Sequence, residues 1–211
     1  MIANVLRYRG KLLTCGVVIL MFATGCMGTQ AADQNTSTPA LPTPLDDPSL
    51  CHVFSNELLQ EEIGFYTEYY GYESSAPQSS SDWGHFECDL HSAYDVSESD
   101  TMYLIVMFND PSASEIAEDA STQIDSKALT LGNHEGSGWV WDHGKSLVWQ
   151  YPDGSSIYMW VNTLDESEWV PEENVREGLI VVFDSLIDEV PEYMQVAENV
   201  PFTRVPPGEE D

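Results

Sequence analysis

The spacing of apolar residues predicts a helix near the start of the folded part of this chain. Leu58, Leu59 and Ile63 form an apolar stripe at helical spacing. Ser55 precedes this stripe as a good N-terminal cap, and Gly64 follows it as a residue type that ends helices. The pattern therefore predicts a first helix between these two caps.

Two later segments carry the patterns of strands. In HFECDLHS, Phe86, Cys88 and Leu90 alternate with polar residues, which indicates a half-buried strand. In MYLIVMF, 102–108, apolar residues occupy both faces, which is typical of a central strand. The stretch FYTEYYGYESSAPQSSSDWG, which precedes both, is aromatic and then serine-rich, and its pattern predicts no definite element.

Two further segments show helical spacing. The first begins at Pro111 and places Ile116, Ala120 and Ile124 on its inner face. The second begins at Pro171 and is long enough to carry an apolar stripe over several turns. The residues of that stripe are Val175, Leu179, Val182, Phe183, Leu186, Ile187 and Val190.

Three strand-like segments lie between these two helices. GWVWD and KSLVWQY flank the turn pair His143–Gly144, and Pro152–Gly154 joins KSLVWQY to SSIYMWVN. They predict a three-stranded antiparallel meander. The order of elements is then α-β-β-α-β-β-β-α, which predicts an α+β fold with an antiparallel sheet of about five strands and helices packed on one face.

The first 26 residues have the layout of an export signal. Arg7, Arg9 and Lys11 precede an apolar run, 12–23, that is short for a membrane span, and small residues then lead to Cys26. This arrangement resembles the bacterial lipoprotein signal, in which the cysteine is acylated and becomes the first residue of the mature chain. The resemblance implies a lipid anchor at Cys26 on the extracytoplasmic face of the cell membrane. An ordinary cleaved signal and an uncleaved anchor are the alternatives.

Composition divides the chain into four parts. Residues 1–25 form the signal, and 26–48 form a Thr- and Pro-rich linker with few large apolar residues. Residues 49–200 are enough for a single α+β domain, and 201–211 form an acidic tail that we expect to be frayed.

Charge limits the partners of the mature chain. From Cys26 onward there are four basic and 36 acidic residues, which is a net charge of −32. Such a field repels nucleic acid and anionic lipid surfaces, so a nucleic-acid partner is excluded. The acidity suits either solubility in a salty or acidic habitat or attraction of a cationic ligand or envelope protein.

Cys51 and Cys88 are the cysteines that remain once the signal is removed and Cys26 is acylated. An exported chain with two cysteines normally pairs them, so we expect a disulfide, with free thiols or a metal as the alternatives. The segments DDPSLCHVFSNELLQEEIG and WGHFECDLH also resemble a family of actinobacterial lipoproteins of unknown function. That resemblance implies export, anchoring and the disulfide, and it carries no catalytic residues.

One strand face offers a candidate metal site. His85, Glu87, Asp89 and His91 lie at alternate positions, about 6.6 Å apart along the strand. Imidazole and carboxylate groups at this spacing suit Zn²⁺ or a similar ion. The alternative is that this face is the solvated outer side of the sheet.

Three tryptophans of the predicted meander offer a candidate ligand platform. Trp139 and Trp141 point the same way along one strand, and Trp149 lies on the next strand. Exposed indoles bind glycans, peptides or cationic groups, the last by cation–π attraction. The alternative is that these side chains pack in the core beneath the helices.

The sequence contains none of the motifs that mark common enzymes. His-Glu-x-x-His, Gly-x-Ser-x-Gly, a phosphate-binding glycine loop and an Asp-x-Asp-x-Asp-Gly calcium loop do not occur. We therefore expect no catalytic residue and no cofactor. The sequence favours a binding or envelope-interaction domain, with an accessory partner of an envelope complex, a metal-binding protein and a hydrolase as the alternatives.

Overall fold

The computed structural model describes residues 44–79, 84–92, 102–132, 134–163 and 169–205. These residues belong to one compact unit. Cys26 and the signal lie outside the described residues. In the described part of the chain, no helix is long and apolar enough to span a membrane.

The described residues form three α-helices and two sheets. The helices are α1 (Asn56–Ile63), α2 (Pro111–Asp119) and α3 (Glu173–Met194). A small sheet pairs β1 (Ser49–Leu50) with β2 (Phe54–Ser55). The strands of the large sheet are β3 (Thr67–Ser75), β4 (His85–Ser92), β5 (Met102–Phe108), β6 (Lys127–Leu129), β7 (Ser137–Trp141), β8 (Ser146–Gln150), β9 (Ser156–Thr163) and β10 (Val200–Val205).

The large sheet is antiparallel throughout and has the strand order β10-β3-β4-β5-β9-β8-β7-β6. The prediction of about five strands with helices on one face is therefore wrong. The five predicted strands correspond to β4, β5, β7, β8 and β9, and the predicted meander is confirmed as β7-β8-β9. Strands β3, β6 and β10 were not predicted.

The missed strands carry weak local signals. Strand β6 has three residues, and β3 contains a register shift near its start that interrupts strict alternation. Residues 201–205, predicted to be part of a frayed acidic tail, belong to β10. Pro201 makes that segment look unlike a strand, but an edge strand tolerates proline because its outer N–H needs no partner. Pairing with β3, rather than the local sequence, orders β10.

The helices lie on both faces of the sheet, which is the second error in the predicted fold. Helices α1 and α3 pack on each other and on the face that buries Leu147 and Trp149 of β8. Helix α2 packs on the opposite face, where Val148 of β8 lies in a separate apolar cluster with alanines of α2. Ile124 was predicted to face inward and is 86% exposed. Helix α2 ends at Asp119, before Ile124 is reached. Ile124 therefore does not follow the helical spacing that would turn it inward.

Local helix signals are confirmed where their partners lie close in sequence. The Ser55 hydroxyl accepts a hydrogen bond of 3.2 Å from the Leu58 N–H at the start of α1. Gly64 ends α1 with φ +64°, a left-handed conformation that favours glycine. In α3 the predicted apolar stripe is buried from Leu179 to Val190.

The disulfide between Cys51 and Cys88 is confirmed. The two Cα atoms are 6.1 Å apart, and both residues are almost fully buried in the main core. The bond joins the segment between β1 and β2 to the centre of β4. It therefore fixes the N-terminal segment of the domain to the large sheet.

Folded structure begins a few residues earlier than predicted. The Leu45 N–H donates a hydrogen bond of 2.8 Å to the Thr67 carbonyl. The Asn56 side-chain amide, which is buried, donates to the carbonyls of Leu45 and Asp47 at 2.8 and 3.0 Å. The last residues of the predicted linker, 45–48, are thus bound to the domain.

Candidate functional site

The sheet face that contacts α2 is covered by that helix over only part of its area. On the rest of this face, the described side chains are mainly half-buried polar and aromatic residues. Helix α2 packs mainly on β8 and β9, and the strands β10, β3, β4 and β5 extend beyond it in the described structure. We call this surface the open face. Its residues are Tyr69, Gly71, Glu73, His85, Glu87, Asp89, His91, Tyr103, Ile105 and Arg204.

The four predicted metal ligands all lie on the open face. On β4 they alternate with the buried residues of the main core, so each is half-buried. The structure does not gather the four around one point, however. Asp89 and His91 lie further along the strand. Among the described residues, the group that can share one ion consists of His85, Glu87 and Glu73 of β3.

The geometry of this trio suits a metal ion. One donor atom from each of Glu73, His85 and Glu87 can be chosen so that all lie within 4.8 Å of one another. The His85 Nε2 and Glu73 Oε1 atoms are 3.2 Å apart. Tetrahedral ligands at normal Zn–N and Zn–O lengths are separated by about 3.4 Å, so small side-chain movements are enough to surround an ion.

The register of β3 and β4 adds an electrostatic reason for a cation. Glu73 and Glu87 are direct cross-strand partners. Two like charges placed opposite each other destabilise an antiparallel pair. Burial raises the pKa of Glu87, and the nearby carboxylates of Asp89 and Glu73 raise it further. A cation held between the two glutamates would offset this repulsion.

A second carboxylate approaches the other ring nitrogen of His85. The Asp110 Oδ2 atom, at the end of β5, is 3.8 Å from His85 Nδ1. The Nδ1 atom is buried and has no hydrogen-bond partner among the described residues. A carboxylate beside the non-ligating nitrogen is a common outer-shell partner of metal-binding histidines because it orients the ring. Asp110 therefore lies within a small movement of a hydrogen bond that would hold His85 in a ligating orientation.

His91 belongs to a row of aromatic rings that crosses the open face. The Arg204 guanidinium lies 4.8 Å above the Tyr69 ring, which stacks on His91 at 4.3 Å between centroids. His91 in turn stacks near Tyr103 at 6.3 Å, and Tyr103 meets Trp160 edge-on at 5.3 Å. Burial, and to a smaller extent Arg204, lowers the pKa of His91. These contacts give His91 a packing role away from the trio.

Asp89 lies between the trio and the aromatic row. Burial raises the pKa of its carboxyl, and the Arg204 guanidinium opposes that shift. Arg204 and Asp89 occupy the same transverse row of the sheet, each paired with Gly71. Arg204 thus compensates charge at this end of the open face. Among the described residues, the transverse row of Glu73 and Glu87 contains no basic side chain.

The three tryptophans of the predicted platform do not lie together. Strand register pairs Trp139 with Val148 and Gly138 with Trp149, so Trp149 points to the opposite face from Trp139 and Trp141. Trp149 is 3% exposed and lies in the main core. A Cβ on Gly138 would be 2.5 Å from the Trp149 ring, so the indole occupies the space that a larger residue would fill.

Trp139 and Trp141 lie, half-buried, against the cluster beneath α2. The Trp141 ring stacks on Tyr158 with 6.0 Å between centroids. Both residues therefore pack in a secondary core. This agrees with the alternative prediction that these side chains pack beneath a helix.

Glu73 is the site residue that sequence reasoning missed. It lies in YTEYYGYES, where Tyr69, Gly71 and Glu73 share a face but the register shift and the glycine disturb the alternation. Recognition of this stretch as a strand beside HFECDLHS would have placed Glu73 opposite Glu87.

Comparisons with protein-family models, with curated proteins and with solved structures found no match to this chain.

Proposed function

We propose that this chain is a lipid-anchored, extracytoplasmic protein that binds a divalent transition-metal ion on its open face and acts by binding rather than catalysis. The observation that carries the metal is the convergence of Glu73, His85 and Glu87 within 4.8 Å. The observation that supports the location is the signal-like N-terminus ending at Cys26. An accessory role in an envelope complex remains the alternative if no metal binds.

The donor set determines the class of metal. One imidazole nitrogen and two carboxylate oxygens suit Zn²⁺ or Mn²⁺ better than Cu⁺, which prefers sulfur ligands. The net charge of −32 raises the local concentration of any cation near the domain. The trio leaves coordination positions for water or for a group from a partner, since three ligands do not complete a tetrahedral site.

Zn²⁺ should raise the melting temperature of the purified mature protein. At a free concentration one hundred times the Kd, ligand binding adds about 2.7 kcal/mol to the free energy of unfolding. For a domain of this size we expect a rise of about 5–10 °C, measured by differential scanning calorimetry in a non-chelating buffer. Mn²⁺ is the second metal to test.

Matched variants on the same strand face test the assignment. His85→Ala and Glu73→Gln should abolish the Zn²⁺-dependent rise, while His91→Ala and Asp89→Asn should keep it. Each variant is compared with its own metal-free melting temperature, which separates loss of binding from loss of stability. Equal loss in His85→Ala and His91→Ala would place the ion elsewhere, and no rise in the unaltered protein with either metal would refute the proposal.

Mass spectrometry of protein extracted from its native membrane tests the anchor. Under denaturing conditions we expect the mass of residues 26–211 plus acyl chains, less two hydrogens for the Cys51–Cys88 bond. A bound ion should add its mass only in the native spectrum. An unacylated chain that starts at another residue would contradict the anchor and leave the metal proposal intact.

A further inference from the structure

We propose that a cavity beside the start of α3 binds a small zwitterionic ligand of the amino-acid type with an apolar side chain. The cavity has a volume of about 460 Å³, within the usual range for small-molecule sites. It shares no residue with the open face, so this proposal is independent of the metal site. We call it the α3 cavity, and its lining includes Lys127, Trp141, Glu173, Arg176, Glu177 and Ile180.

The α3 cavity gathers basic residues in a chain that has very few of them. The four that follow Cys26 are Lys127, Lys145, Arg176 and Arg204. Lys127 and Arg176 line the cavity. Lys145 forms an ion pair with Asp142, in which Nζ and Oδ2 are 3.2 Å apart. In the described part of the chain, Lys127 and Arg176 form no ion pair with a carboxylate. Unpaired cations at one cavity are unexpected in a chain whose net charge from Cys26 onward is −32.

Close packing holds Arg176 in place. A Cβ on Gly144 would lie 2.9 Å from Cγ and Cδ of Arg176, so the arginine stem rests directly on the Gly144 backbone. This contact limits the freedom of the stem and leaves the guanidinium at the cavity. A planar guanidinium held in this way is suited to bidentate binding of a carboxylate.

The start of α3 lies at the cavity, and acidic side chains occupy its first turn. Helix α3 has 22 residues and begins at Glu173, which lines the cavity. Its capping residue, Glu172, makes no side-chain hydrogen bond to the first turn. The first N–H groups of a helix carry partial positive charge, and Glu173 already places a carboxylate beside them, so the ligand carboxylate is assigned to Lys127 and Arg176 alone.

The cavity also contains acidic and apolar groups. Asp125 lines the cavity beside Lys127, and Glu173 and Glu177 lie one turn apart on α3. None of the three carboxylates forms an ion pair in the described residues. Half-buried Trp141 and Ile180 supply apolar surface between the charged groups. Carboxylates suit an ammonium group, and the indole and Ile180 suit an aliphatic or aromatic side chain.

The protein's overall field favours a zwitterion over a simple ion. A net charge of −32 repels an anion before it reaches Lys127 and Arg176. A simple organic cation is also attracted to the many carboxylates elsewhere on the surface. A zwitterion has no net charge, and its two ends match the two kinds of group in the cavity. An amino acid with an apolar side chain is the simplest ligand that satisfies all these contacts.

Isothermal titration of the mature protein with L-leucine tests the proposal. L-Leucine should bind at one site per chain. 4-Methylpentanoate, which lacks the ammonium group, and 3-methylbutylamine, which lacks the carboxylate, should each bind at least tenfold more weakly. L-Phenylalanine tests the size of the apolar subsite and should also bind at one site.

Matched variants separate the cavity from general charge effects. Arg176→Met keeps the stem that rests on Gly144 and should weaken L-leucine binding at least tenfold. Lys127→Met, at an exposed position where folding is not at risk, should weaken it as well. Arg204→Met removes the same charge from the open face and should leave L-leucine binding unchanged.

Three results would overturn the proposal. The first is no saturable binding of L-leucine or L-phenylalanine at millimolar concentration. The second is binding of either single-charge analogue as tightly as L-leucine. The third is equal loss of binding in Arg204→Met and Arg176→Met. None of these results bears on Zn²⁺ binding at the trio.

Discussion

Removal of the Cys51–Cys88 bond should lower the free energy of unfolding by about 4 kcal/mol, the largest single effect that we expect. The two cysteines are 37 residues apart in sequence. A bond across a loop of this length removes conformational entropy from the unfolded chain, and the chain-entropy model gives about 4 kcal/mol. Urea unfolding of the purified protein, with and without a reductant that frees both thiols, measures the difference.

A double variant provides the control for the disulfide. Cys51→Ala/Cys88→Ala should show the reduced stability without reductant and no further change when reductant is added. Both sulfurs are buried in the main core, so the variant also loses some packing. Identical urea midpoints for the reduced and oxidised protein, with both thiols shown to be free, would contradict the expected stabilisation.

Gly178→Ala should destabilise the domain by about 3 kcal/mol, at the upper end of the cost of overpacking a core. Gly178 lies in α3 and is buried where α3 crosses α1. A Cβ at this position would be 2.1 Å from the Glu62 carbonyl oxygen and 2.8 Å from Ile63 Cγ2. The first of these atoms belongs to the backbone, so a side-chain rotation cannot relieve the clash and the two helices must move apart.

The sign of this effect is opposite to the one that helix propensity predicts. In an exposed helix, replacing glycine by alanine stabilises by about 1 kcal/mol. Val181→Ala, at a position of α3 that is 43% exposed, is the matched control and should change stability by less than about 1 kcal/mol. Urea midpoints measure both variants. A Gly178→Ala protein as stable as the unaltered one would show that α1 and α3 are not in close contact.

Much of the secondary structure could be predicted because its signals are local. Ser55 and Gly64 cap α1 through hydrogen bonds within four residues of the chain. The apolar stripe of α3 and the turn before β9 depend in the same way on neighbours in sequence. Strand β10 could not be predicted, because an edge strand with a proline is ordered by its partner β3 and not by its own alternation.

Only part of the candidate metal site could be predicted, because only part of it depends on neighbours in sequence. His85 and Glu87 stand two residues apart on a clear strand, so their common face follows from the two-residue period. Glu73 joins them only through the pairing of β3 with β4. Likewise, the two-residue period places Trp139 and Trp141 together, but only the register of β7 with β8 shows that Trp149 faces the other way.

The amino-acid sequence is sufficient for properties that depend on composition or on near neighbours. These are the net charge of the chain, the identity of the two cysteines that pair, and the caps and stripes of the helices. Tertiary structure decided which strands are neighbours, on which side of the sheet α2 packs, and how closely α3 approaches α1 at Gly178. These features depend on contacts between residues far apart in the chain, and many pairings satisfy the same local pattern until the whole core is packed.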